Sequence, residues 1–158
     1  MKHLLLIVCY CLTLCGFSQI AQTQAPLKPV TWMVSYVEKS PTEGEIVFTA
    51  TIDKKWHIYS QKQPTDVGPI PTSFTIAPGA SYELVGKVEE EQPHEEYVAA
   101  FEAKVLVFSG HAIFKQKIKR KNKDAFTVES LLEFMTCNDI QCLPPSISTF
   151  MVNVPAVK

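Results

Sequence analysis

From Val30 onward the chain alternates between apolar and polar positions. Val30, Trp32, Val34 and Tyr36 share one parity and Thr31, Met33, Ser35 and Val37 the other, the period of two expected of a half-buried β-strand. Ser40, Pro41 and Gly44 interrupt the pattern, after which Ile46, Phe48, Ala50 and Ile52 alternate with Val47, Thr49 and Thr51. The two strands are expected to form a hairpin or to lie side by side. Similar short runs follow at 56–60, 73–76, 82–88, 103–108, 112–119, 126–134 and 147–154, most of them separated by Pro, Gly, Asn or Asp. No window holds an apolar stripe at helical spacing for long. The nearest, 95–104, is acidic at its start and rich in alanine, and predicts at most a helical turn.

Many short strands with frequent turn signals predict an all-β protein, a two-sheet antiparallel sandwich rather than a parallel α/β sheet, in one domain. The N-terminus is different. Lys2 and His3 precede an apolar run from Leu4 to Leu14, followed by the small residues Gly16 and Ser18. That is the pattern of a signal peptide over 1–18, with cleavage after Ser18, or as late as Ala25, leaving a folded domain over 26–158. The run falls short of the roughly 20 apolar residues that span a bilayer, so the mature chain is expected to be exported without membrane insertion. A lipoprotein reading would use Leu12 to Cys15, but Leu14 is bulky where such signals carry a small residue.

Composition mainly excludes. A chain of 158 residues with 46% hydrophobic and 20% charged residues has the make-up of a folded protein, and a net charge of -1 gives no field to draw nucleic acid or an anionic membrane. The basic run Lys115, Lys117, Lys119, Arg120, Lys121 and Lys123 alternates with Ala112, Phe114, Gln116 and Ile118. It reads as the solvent face of a hairpin arm, without the stacking aromatics that nucleic-acid binding uses. The acidic run Glu89, Glu90, Glu91, Glu95 and Glu96 reads as solvated. No serine sits in a nucleophile elbow and no metalloprotease helix motif is present. The spacing of Cys137, Cys142, His57, His94 and His111 matches no metal-ligand frame, and no cofactor is implied.

The cysteines change the picture. Cys9, Cys11 and Cys15 lie in the segment to be removed, which leaves Cys137 and Cys142 in CNDIQCLPP. In an exported protein a disulfide between them is the default state. Pro144 and Pro145 lack backbone donors and hold Cys142 at a strand boundary, which favours access. As a staple the bond is poorly placed: closing so short a loop contributes about 2 kcal/mol, against nearly 5 for a loop of roughly 100 residues. A domain of this size also buries enough apolar surface to fold unaided. On the residues alone, an exchangeable bond and a structural one both stand open.

The segment FMTCNDIQCLPP, with WHIYS upstream and HEEYVAAF between them, resembles the N-terminal periplasmic domain of the thiol:disulfide interchange protein DsbD. The likeness runs roughly from Val30 to Val154. It implies an immunoglobulin-like sandwich whose cysteine pair passes electrons from a thioredoxin-like or membrane donor to oxidised periplasmic proteins. By position, Cys142 matches the cysteine that forms the mixed disulfide and Cys137 the one that resolves it. The family covers its site with a cap loop bearing an aromatic residue, a role that falls to Tyr97 or Phe101. Tyr59 matches a tyrosine beside the cysteines, and Glu95 and Glu96 match acidic cap residues; nearby carboxylates raise a thiol pKa and restrain it until docking.

Two departures qualify the match. The loop between the cysteines is one residue shorter than in the best-studied form, and neither membrane segments nor a CxxC domain follow it here, so the electrons are expected to come from a separate chain. The rival expectation is a non-catalytic immunoglobulin-like binding module in which the same disulfide pins a loop.

Overall fold

The computed structural model describes residues 26–64, 68–98 and 101–157; the expected signal peptide and its cleavage sites lie outside them. Eleven strands are present among these residues: β1 (Val30–Glu38), β2 (Glu43–Ile52), β3 (His57–Tyr59), β4 (Ser73–Ile76), β5 (Tyr82–Glu90), β6 (His94–Val98), β7 (Ala103–Ser109), β8 (His111–Arg120), β9 (Phe126–Phe134), β10 (Thr136–Cys137) and β11 (Ser146–Val154). All pairings are antiparallel, and the sheets run β1-β2-β8-β5, β10-β3-β7-β6 and β11-β9-β4. The expected β1–β2 hairpin forms with Val30 opposite Ile52 and Glu38 opposite Gly44.

The first and third of these sheets face each other as an immunoglobulin-like sandwich. Alternate residues of β2 (Ile46, Phe48, Ala50, Ile52) and β8 (Ala112, Phe114, Ile118) meet Val128, Leu132 and Phe134 of β9 and Val152 and Val154 of β11. The Trp32 ring bridges the sheets, with its centroid 5.8 Å from Phe114 and 5.5 Å from Phe134.

The remaining sheet continues the first one past a bend. Thr51 pairs with His111 on one side of the bend and His57 with Ser109 on the other. Between them Lys55 and Gly110 take φ of 70° and 75°, a left-handed conformation that glycine adopts without steric cost, and Ile52 N–H donates to Gly110 O at 2.8 Å. The bend carries β3 and β7 off the main core and gives them a small buried cluster of their own: Tyr59, Val98, Val105, Val107 and Cys137, flanked by Phe101, Met135 and Cys142.

Three local expectations change. Of the segment 95–104, Glu95–Val98 belong to β6, paired with β7 from His94 opposite Val107 to Val98 opposite Ala103, and the helical turn includes Phe101. Non-local pairing there outweighs the helical preference of nearby alanines. The basic strand β8 is no hairpin arm but a central strand between β2 and β5, and Arg120 falls on its buried parity. Its guanidinium donates to Pro155 O at 2.9 Å and Asp124 O at 2.7 Å, and lies 5.0 Å from the Phe126 ring centre. Glu90 leaves the solvated acidic run: its carboxylate accepts from Ser60 Oγ at 2.6 Å and Gln61 N at 2.9 Å, tying down the chain that follows β3.

Candidate redox site

The Cys137–Cys142 disulfide is formed, with the two Cα atoms 4.0 Å apart. The loop sequence explains this approach. Asn138 Oδ1 accepts from Ile140 N at 2.9 Å and Gln141 N at 2.8 Å, an Asx-type turn that reverses the chain in four residues. Asn138 N donates to Gln141 O on one side of the cysteines and Leu143 N to Thr136 O on the other, both at 2.9 Å. Cys137 and Cys142 thus form a non-hydrogen-bonded antiparallel pair, the position where facing residues come closest. Pro144 and Pro145 then supply no donors, and pairing resumes only at Ser146.

The two sulfurs have different surroundings. Cys137 is fully buried, whereas Cys142 is half-buried and borders a cleft of about 200 Å³ between the cysteine loop and β6. The rest of its wall is His57, Glu96, Tyr97, Val98 and the residues Asn138 to Gln141. Ile140 at the loop tip is 91% exposed and Tyr97 62% exposed, so an apolar side chain stands on either bank.

β3 builds the floor. His57 lies directly opposite Cys137 in register, which puts both side chains on one face of the sheet, and parity puts Tyr59 on that face too. Thr136 Oγ1 donates to His57 O at 3.0 Å, fixing β10 against β3. The His57 Nε2 atom and the Tyr59 hydroxyl share a hydrogen bond of 2.9 Å, with their rings edge to face at 5.2 Å. Tyr59 also meets Phe101 edge to face at 6.1 Å. Burial pushes the Tyr59 phenol well above its ordinary value, and the Glu96 charge adds to this. Burial pushes the His57 imidazole down; Glu96 and Asp139 oppose that shift and His94 reinforces it.

The residues singled out in the sequence separate here. Cys137, Cys142, Tyr59 and Phe101 meet in one cluster, and Glu96 and Tyr97 line the cleft above it. Glu95 does not join them: it lies outside the cleft lining and accepts from Lys104 Nζ at 2.7 Å. His57 and Asp139 are the residues that sequence reasoning passed over, His57 having been weighed only as a metal ligand. Strand parity was the available signal, since His57 sits two residues from Tyr59 and on the same face. A larger cleft of about 480 Å³ between β1 and β11 contains neither cysteine.

The family model described as thiol:disulfide interchange protein DsbD, N-terminal, matches residues 23–153. Among solved structures, the chain is similar to the reduced DsbD N-terminal domain of Neisseria meningitidis, with 14% identity over 78% of this chain and 86% of that one and a TM-score of 0.50. It is also similar to the N-terminal periplasmic domain of ScsB from Proteus mirabilis, with 13% identity over 85% of this chain and 51% of that one and a TM-score of 0.57. At these identities the likeness shows the fold. Among curated proteins none matches.

Proposed function

Because the chain belongs to the family of DsbD N-terminal thiol:disulfide interchange domains, we propose that it acts as a periplasmic interchange module. In this reading Cys142 and Cys137 pass electrons from a separate thioredoxin-like or membrane donor to oxidised periplasmic proteins. The observation that carries the reading is the asymmetry of the pair, one sulfur fully buried and the other bordering a cleft.

The chemistry follows from that asymmetry. The Cys142 thiolate attacks a sulfur of the partner's disulfide, and the partner's other sulfur leaves as a thiolate. The Cys137 thiolate then attacks Cys142 Sγ, releasing the partner's second thiolate. Two electrons and two protons pass from the reduced pair to the partner, whose disulfide becomes two thiols, and the pair ends as the disulfide present in the structure. A thioredoxin-like donor reverses these steps to reload it.

Tyr97 and Phe101 divide the role of the cap. Tyr97 stands exposed at the cleft mouth, where a docking partner displaces it, and Phe101 packs below against Tyr59. Such a cover limits wasteful oxidation, because a reduced pair without one is open to any passing disulfide. Glu96 contributes the restraining negative charge. In this reading residues 1–18 act as a signal peptide, cleaved after Ser18 or as late as Ala25, and the domain over 26–158 works in the periplasm. Among the described residues no helix is long and apolar enough to cross a membrane.

The test is capture. A Cys137→Ala variant incubated with periplasmic extract is expected to accumulate mixed disulfides through Cys142. No trapped species, together with a reduction potential well below about -300 mV, would sink the proposal in favour of a binding module with a structural bond.

A further inference from the structure

We infer that His57 accepts the proton of Cys137 in the step that closes the disulfide. The inference rests on the interchange reading above and adds a residue to it. Cys142 borders the cleft and can lose its proton to water, but Cys137 is fully buried. A buried thiol is a poor nucleophile until something nearby takes its proton.

His57 is placed to do this. It is the direct cross-strand neighbour of Cys137, so their Cβ atoms stand about 5 Å apart on the same face. It is 5% exposed and borders the same cleft as Cys142. Its Nε2 is engaged by the Tyr59 hydroxyl at 2.9 Å; when Nε2–H is the donor in that bond, Nδ1 keeps a free lone pair. Tyr59 itself is a poor base, because a phenolic oxygen that stays protonated has no charge to receive the proton. Burial also pushes the imidazole pKa down, which favours its neutral, accepting form.

Every other charged group around the imidazole is accounted for. Glu96 and His94 come from β6, where they pair with each other at 3.5 Å, and Asp139 comes from the cysteine loop. Asp53, Lys54 and Lys55 line a second opening that His57, Glu96 and Asp139 also border. The step then balances. Cys137 Sγ–H gives its proton to the imidazole, the thiolate attacks Cys142 Sγ, the bond from Cys142 to the partner's sulfur breaks, and the departing thiolate takes the proton from the imidazolium.

Dithiobis-nitrobenzoate, an aromatic disulfide whose thiolate product is coloured, resolves the two steps. Mixed in equal amount with reduced protein, it releases one thiolate when Cys142 attacks and a second when Cys137 closes the ring. His57→Gln, which keeps a hydrogen-bonding partner for Tyr59, is expected to leave the first phase unchanged. The second phase should slow by about 10²-fold and lose its inflection with pH. Tyr59→Phe should keep both phases and move that inflection; this variant decides the matter if His57→Gln does not fold. A second phase with unaltered rate and pH profile in His57→Gln, or an unmoved inflection in Tyr59→Phe, overturns the assignment. A wild-type protein that never releases the second thiolate overturns the interchange reading instead, so the two failures are distinguishable.

Discussion

The molecule buries side chains in two places, and the two are built from different chemistry. Between the main sheets Phe48, Phe114, Ile46, Ile118, Leu132 and Val128 pack around the Trp32 and Phe74 rings. Gln116 and Arg120 reach this region and hydrogen-bond to backbone carbonyls, whereas Trp32 Nε1 and Ser130 Oγ are buried there without a partner among the described residues. The second cluster is small and carries a phenol, an imidazole and a disulfide among Val98, Val105 and Val107. Burying a large apolar side chain contributes about 1.5–3 kcal/mol, so the inter-sheet core holds the fold. The redox cluster is carried on the bent continuation of β2 and β8. In the interchange reading proposed above, this separation would let the sulfurs change state and the imidazole change charge in a sheltered place without disturbing the packing on which stability depends.

The comparison can be broken most directly at Cys142. Cys142→Ser is expected to abolish mixed-disulfide formation in a trapping assay while removing only about 2 kcal/mol of stability in urea unfolding. An unfolded variant would show that the small cluster holds the fold after all. Phe48→Ala is the opposite case: a loss of about 3–5 kcal/mol, with both phases of coloured-thiolate release unchanged at a temperature where the variant is folded. Altered kinetics there would mean that the two regions are coupled.

Smaller effects sharpen the boundary. Tyr97→Ala should speed oxidation of the reduced pair by small disulfides severalfold, with stability within about 0.5 kcal/mol of wild type because the ring is mostly exposed. An unchanged rate removes Tyr97 from the cap. The smallest effect is on pH dependence. Burial lowers the His57 pKa, so the unfolded chain binds that proton more readily and stability rises with pH. The contribution is complete above the unfolded imidazole value of about 6.5 and is lost as pH falls below it. Urea midpoints measured across that window should fall less steeply with acidification in His57→Gln than in wild type; equal slopes would mean that His57 is not desolvated.

Much of this was legible along the chain. Alternation located β1, β2, β8, β9 and β11 because each has one face in the core and one in water, and burial on one side writes a period of two into the residues. CNDIQCLPP announced its turn because Asn138 and the two prolines act on their own neighbours. Elsewhere the deciding partner is distant in sequence. β6 is a strand because β7 lies beside it, and Glu95 and Glu96, adjacent in sequence, part company across that strand: one meets Lys104 and the other faces His57.

The sequence by itself determined the all-β class, the turn that brings Cys137 and Cys142 together, and the likeness to the interchange family, all of which rest on local pattern. Only the tertiary structure decided that one sulfur is buried and the other borders a cleft, and that a histidine stands across from the buried one. Those facts depend on the register between β3 and β10 and on a bend near Gly110. Register is a relation between segments about eighty residues apart, set by how hydrophobic faces are buried together, and local alternation carries no information about it.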